Sequence, residues 1–108
     1  MAGLSIWGLH MPDALLIVTV GSTISFGAAS ASVPLPSVSG SPSFAVRLAA
    51  TGACYVQLGT SGVAAIAGGV LVQPADAMVL AIPRGITHIA ALQVSAGGIL
   101  QISPVENA

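Results

Sequence analysis

The chain has 108 residues, enough for one domain with a single core, and only Asp13, Arg47, Asp76, Arg84 and Glu106 carry a formal charge. Charged residues make up 5% of the chain and hydrophobic residues 55%, whereas about a quarter of an ordinary soluble domain is charged. A net charge of -1 excludes strong electrostatic binding to nucleic acid, and no apolar run approaches the roughly 20 residues of a membrane-spanning helix. We therefore expect neither nucleic acid nor a membrane as a partner.

The first thirteen residues, "MAGLSIWGLHMPD", are predicted to form an N-terminal arm. Trp7 is the expected anchor of this arm on a partner, because buried Trp dominates interface energetics; the other interpretation makes it an ordinary core residue. The following "LLIVTV" resembles the apolar part of a signal peptide, but no Lys or Arg precedes it and Asp13 does. We interpret it as a strand.

Helix signals are poor along the whole chain, because Gly, Pro and β-branched residues are frequent while Glu, Lys and Arg are nearly absent. Short apolar runs separated by turn residues predict an all-β fold, either an antiparallel β-sandwich or a jelly-roll-like one. The eight predicted strands cover residues 15–20, 23–26, 43–49, 54–58, 70–73, 78–82, 88–94 and 99–103.

Two of these runs alternate, which assigns their faces. In "SFAVRLAA" Val46 and Leu48 share a face opposite Arg47, and in "CYVQL" Cys54 is opposite Tyr55. Arg47 and Tyr55 therefore point away from the predicted core and are candidate subunit-interface residues. Arg47 is expected to pair with Asp76 or Glu106, within the chain or across subunits, and Arg84 to lie in an exposed turn.

Turn residues connect the strands. "ATG" at 50–52 predicts a hairpin between its flanking strands. "IPRG" at 82–85 predicts a tight turn with Pro83 at the first corner and Gly85 near the second, and "SAGG" at 95–98 returns the chain into the last strand. The spacing of these turns is typical of a meander or a sandwich sheet.

Residues 27–43, "GAASASVPLPSVSGSPS", are long for a connection in a compact domain. One interpretation is a flexible loop. The other is an extended arm, because Val33, Pro34, Leu35 and Pro36 favour polyproline II and such a segment can lie along a neighbouring subunit. These four residues are predicted interface residues.

The residues that perform chemistry are few and scattered. His10 and His88 are 78 positions apart, the three carboxylates form no motif, and neither a G-x-S-x-G elbow nor a phosphate-binding loop is present. Cupins, which are metal-binding jelly rolls, use an H-x-H pair, but His88 stands alone in "ITHIAA". Cys54 is the single cysteine and is interpreted as a small buried hydrophobe, with a reactive or intermolecular thiol as the alternative. We therefore predict no enzyme, no metal and no cofactor.

The segment "VRLAATGACYVQLGTSGVAAIAGGVLVQPADAMVLAIPRGITHIAALQVSAGGILQISPV", residues 46–105, resembles small structural proteins of tailed bacteriophages. The positions that carry the resemblance are Arg47, Ala50, Gly52, Cys54, Tyr55, Val56, Gly59, Pro74, Ala75, Pro83, Gly85 and residues 87–92. The chain departs from that family in its greater hydrophobicity and in residues 27–43. The resemblance implies a β-sandwich component of the virion, located there after synthesis in the bacterial host cytoplasm.

Composition and resemblance together favour a structural protein that works by assembly, as a homo-oligomer bound to the major capsid protein or to other virion proteins. A single 108-residue domain cannot hide this much apolar surface in one core, and exposed apolar patches mark interaction sites. Capsid decoration is the preferred role, and a head–tail connector or a tail or baseplate component is the alternative. A carbohydrate-binding β-sandwich module is a further alternative, although Trp7 and Tyr55 offer few rings for sugar stacking.

Overall fold

All regular structure in the described part of a computed structural model of the chain is β-strand. The structure describes residues 15–17, 21–38, 41–42 and 45–107, with side chains for 21–37 and 45–105. The strands are β1 (Leu15–Ile17), β2 (Ser22–Phe26), β3 (Ala31–Pro34), β4 (Ser37–Val38), β5 (Ser41–Pro42), β6 (Ala45–Ala50), β7 (Cys54–Gly59), β8 (Val70–Val72), β9 (Met78–Ala81), β10 (His88–Gln93) and β11 (Gly98–Asn107). The all-β prediction is confirmed, and each of the eight predicted strands overlaps one of these.

Two antiparallel sheets contain nine of the strands. The five-stranded sheet runs from the edge strand β9 through β6 to β11, and the far side of β11 pairs with both β2 and β1. The four-stranded sheet has the order β3-β10-β7-β8, while β4 and β5 form a small separate ribbon. The open edges of the sandwich therefore include β9 in one sheet and β8 in the other.

The pairing is that of a long hairpin that has rolled up. From β2 onwards the outermost strands pair first, β2 with β11 and β3 with β10, and then β6 with β9 and β7 with β8 at the tip. Rolling adds the pairs β6–β11 and β7–β10, which close the two sheets. This nested order is the jelly roll, the second of the two architectures that the sequence predicts.

The alternation of apolar side chains explains why the two sheets pack face to face. The inner face of the five-stranded sheet carries Ile24, Phe26, Val46, Leu48, Leu100 and Ile102, and the inner face of the four-stranded sheet carries Cys54, Val56, Val72, Ile89 and Ala91. All of these are buried, and the residues between them along each strand face outward. The predicted burial of Val46, Leu48 and Cys54 is confirmed.

The predicted hairpin at 50–52 is wrong, because β6 and β7 belong to different sheets. Thr51 stays with the five-stranded sheet: its amide donates to the carbonyl of Ile99, and the Ile99 amide donates to Thr51 Oγ1, both at 2.9 Å. Two residues later the Val94 amide, just after β10, donates to the carbonyl of Ala53. The chain therefore crosses between the sheets here and does not reverse within one sheet.

The predicted turn after β9 is present, displaced by one residue. The amide of Ile86 donates to the carbonyl of Pro83, so Arg84 and Gly85 occupy the two corners. Gly85 has φ +89°, which a type II turn requires at its second corner and which a side chain would disfavour. Arg84 is exposed at the first corner, as predicted. This turn also carries the chain from one sheet to the other, so of the two predicted arrangements the sandwich is present and the meander is not.

The loop at 60–69, between β7 and β8, folds back over the outside of the four-stranded sheet. Val63 occupies the space outside Gly59, where an added Cβ would lie 2.7 Å from its Cγ2. Farther along, the amide of Ala65 donates to Ser30 Oγ at 2.8 Å, which ties the loop to the residue preceding β3. Ala65 and Ala90 are buried although neither belongs to the main core. The loop thus gives this sheet a partial second layer.

Candidate functional site

Strands β8 and β9 form one open side of the sandwich. The chain passes between them through a tight turn, in which the amide of Asp76 donates to the carbonyl of Gln73 at 3.4 Å. Pro74 and Ala75 fill the corners of this turn, and Ala75 has φ +63°, an uncommon conformation for a residue with a side chain. Because the turn is short and the two strands belong to opposite sheets, their unpaired edges open on the same side of the molecule.

A small apolar depression lies between these two edges. Its volume is about 190 Å³, and it is lined by Val56, Gln57, Leu58, Val70, Leu80 and Ala81. The single polar side chain, that of Gln57, donates from Nε2 to the carbonyl of Leu58 at 3.2 Å. Sites for small molecules typically enclose about 300–1,000 Å³, so this depression suits one or two apolar side chains better than a free ligand.

The side chains around the depression are apolar and exposed. Val70 and Val79 are each 46% exposed and Leu71 is 38% exposed, and Ile66 in the preceding loop is 65% exposed. Natural proteins protect a free strand edge with charged residues or Pro, or by covering it. Neither β8 nor β9 contains a charged residue or Pro within its bounds. We call these two strands and Ile66 the apolar edge.

A second cleft, of about 180 Å³, lies on the outer face of the five-stranded sheet beside β6. It is lined by Arg47, Ala49, Ala50, Ala75, Asp76 and Ala77. The sequence predicted an ion pair between Arg47 and either Asp76 or Glu106. The structure brings Arg47 and Asp76 to one cleft, but it shows no ion pair within 4.0 Å among the residues whose side chains it describes. Both groups remain open to a polar partner.

The predicted interface residues of the segment 27–43 belong in large part to the chain's own fold. Val33 and Pro34 lie in β3, where they pair with Ile89 and His88 of β10. Val33 and Leu35 pack against the core, and Pro36 is buried, so Pro34 alone of the four is exposed. Residues 31–34 are therefore an edge strand of the chain's own sheet and not a flexible loop or an arm on a neighbour.

The remaining predicted interface residues are not brought together. Arg47 is exposed on the outer face of the five-stranded sheet, whereas Tyr55 is half-buried on the outer face of the other sheet. There Tyr55 lies in register between Leu71 of β8 and Leu92 of β10, which extends the apolar edge onto that face. Trp7, like the whole predicted arm at 1–13, lies outside the described residues.

The titratable side chains of the described part do not converge. Cys54 is fully buried at the start of β7, and burial raises the pKa of its thiol above the ordinary value of 9.0. His88 Nδ1 lies 2.8 Å from Thr87 Oγ1, at the first residue of β10. Within the described ranges no three His, Cys, Asp or Glu side chains lie close enough to hold a metal ion. The same part of the chain contains no helix able to cross a membrane.

Sequence reasoning missed the residues of the apolar edge: Val70, Leu71, Val79 and Leu80. A signal for them exists. "VLV" and "MVLA" have apolar residues at every position, whereas a strand with one wet face alternates with polar residues. A strand that is apolar at every position is either covered on both faces or leaves one apolar face exposed to water. Because β8 and β9 lie at the edges of their sheets, part of their apolar surface stays exposed.

Comparisons with protein-family models, with curated protein sequences and with solved structures found no match in any of the three. The resemblance to phage structural proteins therefore depends on the motif positions given above.

Proposed function

We propose that this chain is a structural protein that works by assembly, and that it is a virion component of a tailed bacteriophage. The observation that carries the proposal is the apolar edge: two unprotected strand edges on one side of the molecule, with Val70, Leu71 and Val79 exposed. Because only 5% of the residues are charged, the rest of the surface has few charged side chains to counterbalance the exposed apolar ones of this edge. An edge of this kind joins other chains by strand addition, in which main-chain hydrogen bonds give affinity and the side chains give specificity.

Burial of the apolar edge supplies the driving force for assembly. Apolar surface removed from water contributes about 25 cal/mol per Å². Each contact made by so small a domain is modest, but a lattice of repeated sites raises the total strength by avidity. A partner with many identical sites, such as a shell of major capsid protein, would make many of these modest contacts at once.

Fold and motif narrow the proposal further. Jelly rolls occur in viral capsids, lectins and cupins, so this architecture is one that virion proteins use. The motif between Arg47 and Leu92 favours a phage structural protein, and capsid decoration is the preferred role. A head–tail connector or a tail component is the alternative, because the apolar edge would suit either.

Purified virions of the phage whose genome carries this sequence provide the test. Mass spectrometry should find the chain in stoichiometric amounts, and electron cryomicroscopy should show density on the shell that is lost when its gene is deleted. Adding back the purified protein should restore both the density and the heat resistance of the particles. Virions that contain none of the chain would refute the proposal, and density on the tail instead of the shell would support the connector or tail role.

A further inference from the structure

The loop between β7 and β8 contains two matching turns joined by a four-residue segment. In each turn the amide of the fourth residue donates to the carbonyl of the first, at 3.0 Å in the turn 60–63 and at 3.2 Å in the turn 66–69. The third residue of each turn is a glycine with a positive φ, +90° at Gly62 and +93° at Gly68. We call residues 63–66, which connect the two turns, the strap.

The strap crosses the outer face of the four-stranded sheet. The loop leaves β7 after Gly59 and reaches Ser30, the residue before β3, where the amide of Ala65 donates to Ser30 Oγ at 2.8 Å. Strand β10 lies between β7 and β3 in the sheet, so the strap must pass over β10. There Ala90 is fully buried, although the alternation of the strand places it on the face opposite the core residue Ile89. The strap therefore covers Ala90.

Few interactions hold the strap in this position. Burial alternates along it: Val63 is half-buried and Ala65 is buried, whereas Ala64 and Ile66 are exposed. Among the described residues, Ala64 makes no hydrogen bond, and Ala65 makes only the one to Ser30. Segments with little buried apolar surface and few hydrogen bonds open at a lower free energy than the core strands. The strap is such a segment.

We infer that the strap opens as a unit while both sheets stay folded, and that it turns at Gly62 and Gly68. A Cβ added at either glycine would meet nothing within 4 Å, so no packed neighbour restrains the chain at these two points. Opening breaks the hydrogen bond between Ala65 and Ser30 and uncovers Ala90. The strap would open in this way whether or not the chain is a virion component.

Opening changes how much apolar surface the chain exposes. The strap ends at Ile66, which belongs to the apolar edge, and the turn that follows leads directly into Val70 of β8. When the strap is open, Val63, Ala65 and Ala90 become accessible next to that edge. The strap therefore acts as a local switch: closed, it limits the apolar surface on this side of the molecule, and open, it extends it without unfolding a strand.

Native-state hydrogen exchange, followed by NMR at increasing urea concentrations, tests the inference. The Ala65 amide should exchange through an opening that hardly depends on urea, because so little surface is exposed, whereas the amides of β10 should show the steep dependence of global unfolding. Exchange of the Ala65 amide together with the β10 amides at every urea concentration would overturn the inference. Exchange at the rate of an unstructured peptide would also overturn it, because the strap would then have no closed state.

Variants identify what holds the strap closed. Ser30→Ala should make exchange of the Ala65 amide severalfold faster, and Ser30→Thr, which keeps a hydroxyl, should restore much of the protection. The matched control is Ser25→Ala, an exposed serine of β2 to which no strap amide donates, and it should leave the Ala65 rate unchanged. An unchanged Ala65 rate in Ser30→Ala, or an equal acceleration in β10, would refute the role of this hydrogen bond in a local opening.

A change in the second turn gives an independent measurement. Gly68→Ala should also speed exchange of the Ala65 amide, because a side chain disfavours the φ of +93° that the closed turn requires while touching no neighbour. The β10 amides should keep their wild-type rates. Loss of protection in β10 to the same degree as at Ala65 would show that the loop and the sheets open only together, which contradicts the inference.

Discussion

Truncating Ile102 to alanine should destabilise the protein far more than the same change at Ile99. Both residues lie in β11, but Ile102 is fully buried in the core whereas Ile99 is 47% exposed on the outer face. They are three positions apart, so the alternation of a strand places them on opposite sides of the sheet.

The magnitude follows from burial. Removing a fully buried Ile side chain down to Cβ loses its transfer free energy and leaves a cavity, which together cost about 3–4 kcal/mol. At Ile99 about half of the side chain is already in water and no enclosed cavity forms, so we expect a loss of about 1 kcal/mol. For a domain of this size the larger loss corresponds to a fall of roughly 12–20 °C in Tm.

Urea unfolding followed by far-ultraviolet circular dichroism measures both variants against the wild type, with protein concentration held constant because association adds to apparent stability. The m-value should stay unchanged, so that the midpoint reports stability. Equal losses at the two positions, or a greater loss at Ile99, would show that the register of β11 is wrong, because a slip by one residue exchanges the two faces.

Three further experiments test local features. Ala75→Gly should stabilise the protein by about 0.5–1 kcal/mol, because a left-handed conformation costs an L-residue more than the added freedom of glycine in the unfolded chain. The control Ala77→Gly should destabilise the protein by a similar amount. Thermal unfolding measures both variants, and stabilisation by both would contradict the left-handed conformation of Ala75. Ser30→Ala removes the hydroxyl that accepts the hydrogen bond of the Ala65 amide. Amide hydrogen exchange in residues 60–69 should become severalfold faster, while exchange in β11 stays unchanged. Equal acceleration in both regions would show that the change destabilises the whole fold and not this loop. Because the pKa of Cys54 is raised in the folded state, its thiol stays protonated there after the same thiol in the unfolded chain has begun to ionise. The free energy of unfolding should therefore be retained below pH 9.0 and fall as the pH rises above that value. Cys54→Ala should remove this part of the decline, and identical pH profiles of stability in the two proteins would refute the prediction.

The sequence predicted the strands well because local chemistry determines them. Alternation marked Val46, Leu48 and Cys54 as inward-facing, and Gly85 marked the turn after β9. These signals span a few residues and need no knowledge of what lies opposite.

The pairing of the strands could not be predicted in the same way. Ser22 pairs with Ile102, 80 positions away, and nothing within either segment specifies the other. For the same reason "ATG" was assigned to a hairpin: a short Gly-containing link suits both a reversal within one sheet and a crossing between two sheets. The hydrogen bonds of Thr51 to Ile99, 48 positions away, select the crossing.

The candidate site was the least predictable part. Residues 31–34 were predicted to belong to a loop or an extended arm because Ser, Ala and Pro dominate the segment, yet an edge strand tolerates Pro34 at its end. Val70, Leu71 and Val79 could be assigned to no face, because their strands do not alternate. Their exposure depends on β8 and β9 lying at the same open side, which follows from the topology and not from the local sequence.

The position of β11 has a consequence for synthesis. Strand β11, the last of the described strands in chain order, lies in the middle of the five-stranded sheet, between β6 on one side and β2 with β1 on the other. Until it leaves the ribosome, the earlier strands of this sheet have no central strand to pair with, and the sheet cannot be completed. During that interval the nascent chain exposes apolar strands, and it has almost no charge to keep neighbouring nascent chains apart. Chaperones, or slower initiation of translation when the protein is expressed at a high level, should therefore improve its yield.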